Sequence, residues 1–330
     1  MKGLRYLGNR SMDYAEVPDI VLETNTQVVV AVDASGICGS DMHVYRGHGP
    51  TRAVPAILGH EAAGRIVTGP RAGQAVAINP LIPCGNCRYC HEQKTNLCSR
   101  RRLIGLHLPG TFADQVIVPA NNLLPIPMGL AAQHAALAEP AATALHGCQL
   151  GIRGLAKPLH QGQILVIGAG SIGLLSALVL RARGALAITI AETNNQRRTN
   201  AARAGDWQLI DGLKTTATAD TFDLVVDAVG SRASRDVALQ AVCAGGVVVH
   251  LGLEDKAGVL DMHCITRQEI TLIGSYTYTP AELADALDQL HSGALGHLSW
   301  VETRALSDGP RVFQDLDAGH STATKIVLIP

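Results

Sequence analysis

Residues Ile164–Gly173 read ILVIGAGSIG. Four strand-type apolar residues run into a glycine-rich turn, which opens the helix-like text SIGLLSALVLRARG. Gly168, Gly170 and Gly173 stand as G-x-G-x-x-G. That pattern is weak alone. Placed between a strand and a helix, with an acid closing the next strand, it marks a dinucleotide-binding turn. Gly168 allows the tight turn, Gly170 lets a pyrophosphate approach the backbone, and Gly173 lets helix and strand pack closely. The helix start, at Ser171 and Ile172, offers free N–H groups to the phosphates. The acid is Glu192, after AITIA. A carboxylate there accepts from adenosine ribose hydroxyls and repels a 2′-phosphate, which favours NAD over NADP. Arg197 and Arg198 follow closely and would pair with a 2′-phosphate if Glu192 turned away. The competing reading is a glycine turn that packs an α/β domain and binds nothing.

Working outward, strand and helix text alternates after Gln163. AITIAE, FDLVVDAVG, GGVVVHLGL and ITLIGS read as strands, and NNQRRTNAARAG as a helix. Near-continuous apolar strands separated by helices predict an α/β domain with a parallel sheet covered on both faces. Upstream the text differs. QVVVAVDASGIC is strand-like, and Gly and Pro then punctuate short apolar runs through Pro127, which predicts a β-rich domain with irregular loops. AAQHAALAEPAATALHGCQL is small-residue helical text, with Pro140 capping or kinking it. Beyond Tyr276 come a helix-like PAELADALDQLHSG and a terminal strand, KIVLIP.

The 330 residues suffice for two domains. A net charge of −1, no basic block and 3% aromatics argue against a nucleic-acid partner. The longest uncharged run, Ile164–Leu180, is broken by its glycines, so it reads as strand, turn and helix rather than a membrane span. The N-terminal text lacks the apolar core of a signal peptide, which predicts a cytoplasmic protein with reduced thiols.

Those thiols are clustered. PCGNCRYCHEQKTNLC, Pro83–Cys98, sets Cys84, Cys87, Cys90 and Cys98 as C-x2-C-x2-C-x7-C. Two-residue gaps let thiolates converge on one tetrahedral ion, and the longer gap returns the chain for the fourth. An iron–sulfur run has a shorter last gap followed by proline. Zinc is the expected ion. Four thiolates leave no open position, so the lobe fixes its own shape and chemistry lies elsewhere. GICGSDMH supplies Cys38, Ser40, Asp41 and His43; LGHEAAG supplies His60 and Glu61; AEP supplies Glu139. Such a mixed donor set suits a zinc with a position left open for chemistry.

In this order and spacing, CGSDMH, GHE, the four-cysteine lobe, AEP and GAGSIG resemble the zinc-dependent medium-chain dehydrogenases, from about residue 25 to the end. The branch that looks most similar is the polyol one: sorbitol, idonate, butanediol and threonine dehydrogenases. The resemblance implies a GroES-like catalytic domain over 1–141 with a structural zinc lobe at 83–99. It also implies a Rossmann domain over 142–275 and a C-terminal segment, 276–330, returning to the catalytic domain. It implies one catalytic and one structural zinc, with NAD as hydride carrier and a homodimer or homotetramer. Cys38, His60 and Glu61 match catalytic-zinc ligands, and Glu139 matches a position that binds zinc directly or through water. Ser40 matches the hydroxyl relay that takes the alcohol proton, with His43 passing it on. Asp41 is expected to be structural.

Departures bear on substrate. Sorbitol enzymes carry an aromatic where this chain has Val44, and an Arg-Tyr pair where it has Thr277 and Tyr278. The change tilts expectation towards a less hydroxylated secondary alcohol or a vicinal diol. Tyr45, Arg46 and His107 are either pocket-lining or ordinary loop residues. Two other readings compete: a non-catalytic NAD-binding protein with structural zinc, and a zinc-free quinone reductase. The complete donor set speaks against both. Cys148, Cys243 and Cys264 have no evident partner and read as free thiols in packed regions.

Overall fold

The computed structural model describes residues 1–22, 24–48, 53–212 and 220–330. The chain forms two compact units. One comprises Met1–Glu139, Thr279–His291 and Val301–Pro330; the other comprises Pro140–Tyr278 and Ser292–Trp300. The stretch 292–300 therefore packs with the second unit, while the rest of the tail returns to the first.

The second unit is built on a parallel sheet. Its strands lie in the order Gln208–Ile210, Ala187–Ala191, Gln163–Ile167, Phe222–Asp227, Val242–His250, Thr271–Gly274. In chain order this is 3-2-1-4-5-6, the doubly wound dinucleotide-binding arrangement. The run from Ile164 is cut by its glycines into the strand Gln163–Ile167 and the helix Ser171–Ala182. Ile164, Leu165 and Val166 are fully buried, as a sheet covered on both faces requires. No helix among the described residues is long and apolar enough to cross a membrane.

The first unit is β-rich. Its main sheet runs Leu123–Pro125, Ala75–Ile78, Glu61–Ile66, Gln27–Gly36, Lys325–Ile329, Val301–Ala305, and Gln115–Pro119 also pairs with Gln27–Gly36. The last strand of the chain is thus inserted beside one of the first. Residues Lys2–Gly8 and Ser11–Glu16 form an antiparallel hairpin. Its turn carries φ values of 92°, 47° and 59° at Gly8, Asn9 and Arg10. Leu4, Tyr6, Phe112, Phe313 and Leu328 share one core cluster with Ile37, Met42 and Tyr45. That cluster supports the segment carrying the GICGSDMH residues from below.

Candidate functional site

Strand pairing assembles the mixed donor set. Gly36, at the end of Gln27–Gly36, pairs with Glu61, at the start of Glu61–Ile66. The chain leaving one strand therefore lies beside the chain entering the other. Cys38 follows two residues after Gly36, and His60 immediately precedes Glu61. The Cys38 sulfur, a His60 ring nitrogen and a Glu61 carboxylate oxygen all lie within 4.8 Å of one another. His60 and Glu61 are buried and Cys38 is half-buried.

Asp41 organises this group. It is 3% exposed. One carboxylate oxygen accepts the Cys38 N–H at 2.9 Å, and the other accepts the Gly59 N–H at 3.3 Å. The second oxygen also lies 3.6 Å from His60 Nδ1. That leaves Nε2 as the nitrogen for a metal. Burial works against a charged His60, but Asp41 and the Cys38 sulfur outweigh it and hold the imidazole well above its ordinary range.

The helix Gly39–Tyr45 carries the two relay candidates. Met42, Val44 and Tyr45 are buried, and Tyr45 packs on Phe313 with ring centroids 5.4 Å apart. Ser40 and His43, one turn apart, stay off that apolar face. Ser40 Oγ is 3.5 Å from His60 Nε2. Tyr45 is thus a core residue, 2% exposed. Arg46 is held by Asp317 at 2.7 Å, and His107 Nδ1 accepts the Leu103 N–H at 3.0 Å. Glu139 is buried in the first turn of the helix Ala138–Gly154 and is not a member of the three-donor group.

The second cluster is local. Cys84, Cys87, Cys90 and Cys98 present sulfurs within 4.8 Å of one another. Cys87 and Cys90 are 3.5 Å apart, and Cys84 and Cys90 3.9 Å. Four thiolates about 2.3 Å from one tetrahedral ion would stand about 3.8 Å apart, so the set fits zinc. The Asn86 backbone N–H draws the Cys84 thiol down to about 6, while burial pushes Cys90 up to about 11. Four sulfurs this close cannot all carry charge without a cation between them.

In the second unit the three glycines of the turn differ in what surrounds them. Gly168 has φ +94°, and a Cβ there would stand 2.7 Å from Val229. A Cβ on Gly173 would overlap the Gly168 carbonyl oxygen, whereas one on Gly170 would meet open space. Gly170 is the N-cap of the helix Ser171–Ala182, so this open space lies at a helix N-terminus, a place suited to a pyrophosphate. Glu192 is buried, and its carboxylate already accepts the Ala169 N–H at 2.8 Å and the Asn194 N–H at 2.8 Å. Its spare lone pairs are fewer than an exposed acid would offer. Arg197 donates its backbone N–H to Asn194, and its side-chain Nε is buried with no hydrogen-bond partner. Arg198 is tied to the Thr193 carbonyl at 3.0 Å. Cys148 is fully buried, its thiol pushed up to about 12 by burial, which makes it inert.

Sequence reasoning missed Lys325. It is buried beside Glu61 and pairs with it. The pairing spans 264 positions, and the only local signal was a charged residue opening the apolar strand KIVLIP.

Comparison with known proteins points to one family. Residues 24–128 match the family of the alcohol dehydrogenase GroES-like domain, and residues 171–292 match zinc-binding dehydrogenase. L-Galactonate-5-dehydrogenase of Escherichia coli (strain K12) is 32% identical over 288 residues, 81% of this chain and 80% of that one. The structure of acetophenone reductase from Geotrichum candidum, in complex with NAD, superposes with a TM-score of 0.90 at 28% identity, covering 100% of this chain and 97% of that one. A Sinorhizobium meliloti protein described only as a zinc-binding dehydrogenase, bound to NADP, superposes with a TM-score of 0.89 at 28% identity, covering 100% and 99%. The chain belongs to the zinc-dependent alcohol and polyol dehydrogenases of the medium-chain family.

Proposed function

We propose that this protein reversibly oxidises a secondary alcohol, diol, polyol or sugar acid to the ketone, with NAD as the preferred hydride acceptor. The observation that carries the reading is the convergence of Cys38, His60 and Glu61 donors within 4.8 Å, in a chain of this family. One zinc held there would supply Lewis acidity, and the dinucleotide would supply the redox change. Three protein donors would leave room at the metal for substrate or water, and Glu139 remains a candidate ligand, directly or through water. Cys84, Cys87, Cys90 and Cys98 would hold a second zinc, whose role would be structural.

The chain's own residues then have separate tasks. Asp41 orients Cys38 and His60. Ser40 takes the hydroxyl proton, and His43, one helical turn on, passes it to solvent. Gly168, Gly170 and Gly173, with the N–H groups of Ser171 and Ile172, seat the pyrophosphate. Glu192 accepts from the adenosine ribose, while Arg197 offers an unpaired donor to a phosphate. The similarity to L-galactonate-5-dehydrogenase supports testing sugar acids and polyols first, beside the less hydroxylated alcohols and vicinal diols expected from Val44 and Thr277. A homodimer or homotetramer in the cytoplasm fits the edge strand Thr271–Gly274, whose Leu272 is 41% exposed.

The test is NADH absorbance with NAD and a panel of secondary alcohols, diols, polyols and sugar acids, with a chelator arm. Chelator-sensitive NADH formation is expected. Silence across the panel, with two zincs and bound NAD verified, would favour the non-catalytic reading. Glu192→Ala is expected to lower the ratio of NAD to NADP efficiency by about tenfold, one lost charge-assisted hydrogen bond. An unchanged ratio would remove Glu192 from nucleotide selection.

A further inference from the structure

The buried pair Lys325–Glu61 is unexplained by the fold. Both side chains are about 1% exposed. Taking two charges out of water is expensive, and a neutral pair of similar volume would serve packing as well or better. Lys325 is also more than a partner for one carboxylate. Its ammonium donates to the Ile37 carbonyl at 2.8 Å, one residue before Cys38. A single side chain thus holds both chain segments that bring the mixed donors together.

The backbone makes room for it. Gly36 pairs with Glu61 on one side and with Val327 on the other. The Glu61 and Lys325 side chains approach each other across Gly36. A Cβ there would overlap the Glu61 carboxylate and stand 2.8 Å from Lys325 Cε. Three chain segments are therefore shaped around this pair.

We infer that Lys325 is the internal counter-ion of Glu61 and a positioning residue of the metal site. The ammonium and a zinc ion compete for the same carboxylate, so Lys325 weakens the hold of Glu61 on the metal without removing Glu61 from the donor set. The device sets how tightly zinc is held. It rests on the reading of Cys38, His60 and Glu61 as a zinc site. Removing the ammonium frees the carboxylate and removes a like charge facing the ion. Both effects have one sign.

The experiment is zinc affinity by chelator competition on the full chain, with zinc counted by atomic absorption. Cys38→Ser identifies the site: it is expected to hold one zinc instead of two, and retention of two would sink both the zinc-site reading and this inference. Lys325→Met is expected to bind the second zinc at least about tenfold more tightly than the wild type, and unchanged or weaker binding overturns the inference while leaving the site intact. Because Lys325→Met leaves a lone buried carboxylate, a charge-balanced comparison is made as well. Glu61→Gln alone should weaken zinc binding, and Glu61→Gln with Lys325→Met should recover at least about tenfold of that loss. A double variant no better than Glu61→Gln overturns it. A merely structural lysine would change thermal stability but would not tighten zinc binding.

Discussion

Two donor clusters sit in the first unit, and they are made in opposite ways. Cys84, Cys87, Cys90 and Cys98 come from one short loop and offer chemically identical sulfurs, with Cys84 and Cys87 half-buried and Cys90 and Cys98 buried. Cys38, His60 and Glu61 come from the end of one strand and the start of another, offer three different donor types, and stand over buried Asp41 and Lys325. Four protein donors would close a tetrahedral coordination sphere and fix a shape, whereas three would leave a position open. On the proposed reading the first arrangement would act through folding and the second through chemistry, so damage to each should be read by a different instrument.

The sharpest way to break this contrast is Cys38→Ser. Loss of a ligand to the Lewis acid should reduce alcohol oxidation by about a thousandfold or more. NAD affinity, followed by fluorescence titration, should be unchanged, since the glycine turn belongs to the other unit. A parallel loss of NAD binding would show that the cluster also serves the nucleotide.

Cys87→Ser should fail differently. Loss of one lobe ligand should destabilise the protein by on the order of 3 kcal/mol, because the metal's binding energy is there folding energy. For a unit of this size that lowers the melting temperature by roughly 6–12 °C. The folded fraction should keep its kcat and hold one zinc fewer. Normal melting with one zinc fewer would show that the lobe does not depend on its metal. Asp41→Asn should fall between these two. It keeps the shape but weakens the acceptor for the Cys38 N–H, for a loss of roughly 10- to 100-fold in zinc affinity or activity. An effect on melting alone would make Asp41 a packing residue.

The same contrast governs what the sequence could reveal. The lobe and the glycine turn were legible because their geometry is set by neighbours a few positions apart. The parallel sheet was legible because burial on both faces leaves continuous apolar strands. Cys38, His60 and Glu61 were legible only as two short motifs, since nothing local states that Gly36 pairs with Glu61. Tyr45 read equally as pocket-lining or as ordinary loop surface, and it is instead a core residue packed on Phe313, far along the chain. Glu139 was expected near zinc, and the structure buries it outside the three-donor group. Lys325 was invisible for the same reason: strand insertion by the chain's last segment is a tertiary event. The N-terminal hairpin went unread because its turn, Gly8-Asn9-Arg10, lacks the usual two-residue hairpin signal.

The smallest expected effect tests the contrast through two ion pairs of like chemistry. Arg88 and Glu92 pair at 2.6 Å on the surface of the lobe, four residues apart on one helical turn, with side-chain exposures of 80% and 34%. Lys325 and Glu61 pair out of water. Arg88, and then Lys94, hold the Glu92 carboxyl below its usual range. A depressed folded value means the pair's contribution is present above the ordinary glutamate range and is lost as pH falls through the lowered value. Water and salt screen that contribution at neutral pH. Arg88→Ala should therefore move the melting temperature by less than about 1 °C and leave both zincs and kcat in place. A larger shift would mean that the lobe's surface charges, and not only its sulfurs, hold its shape.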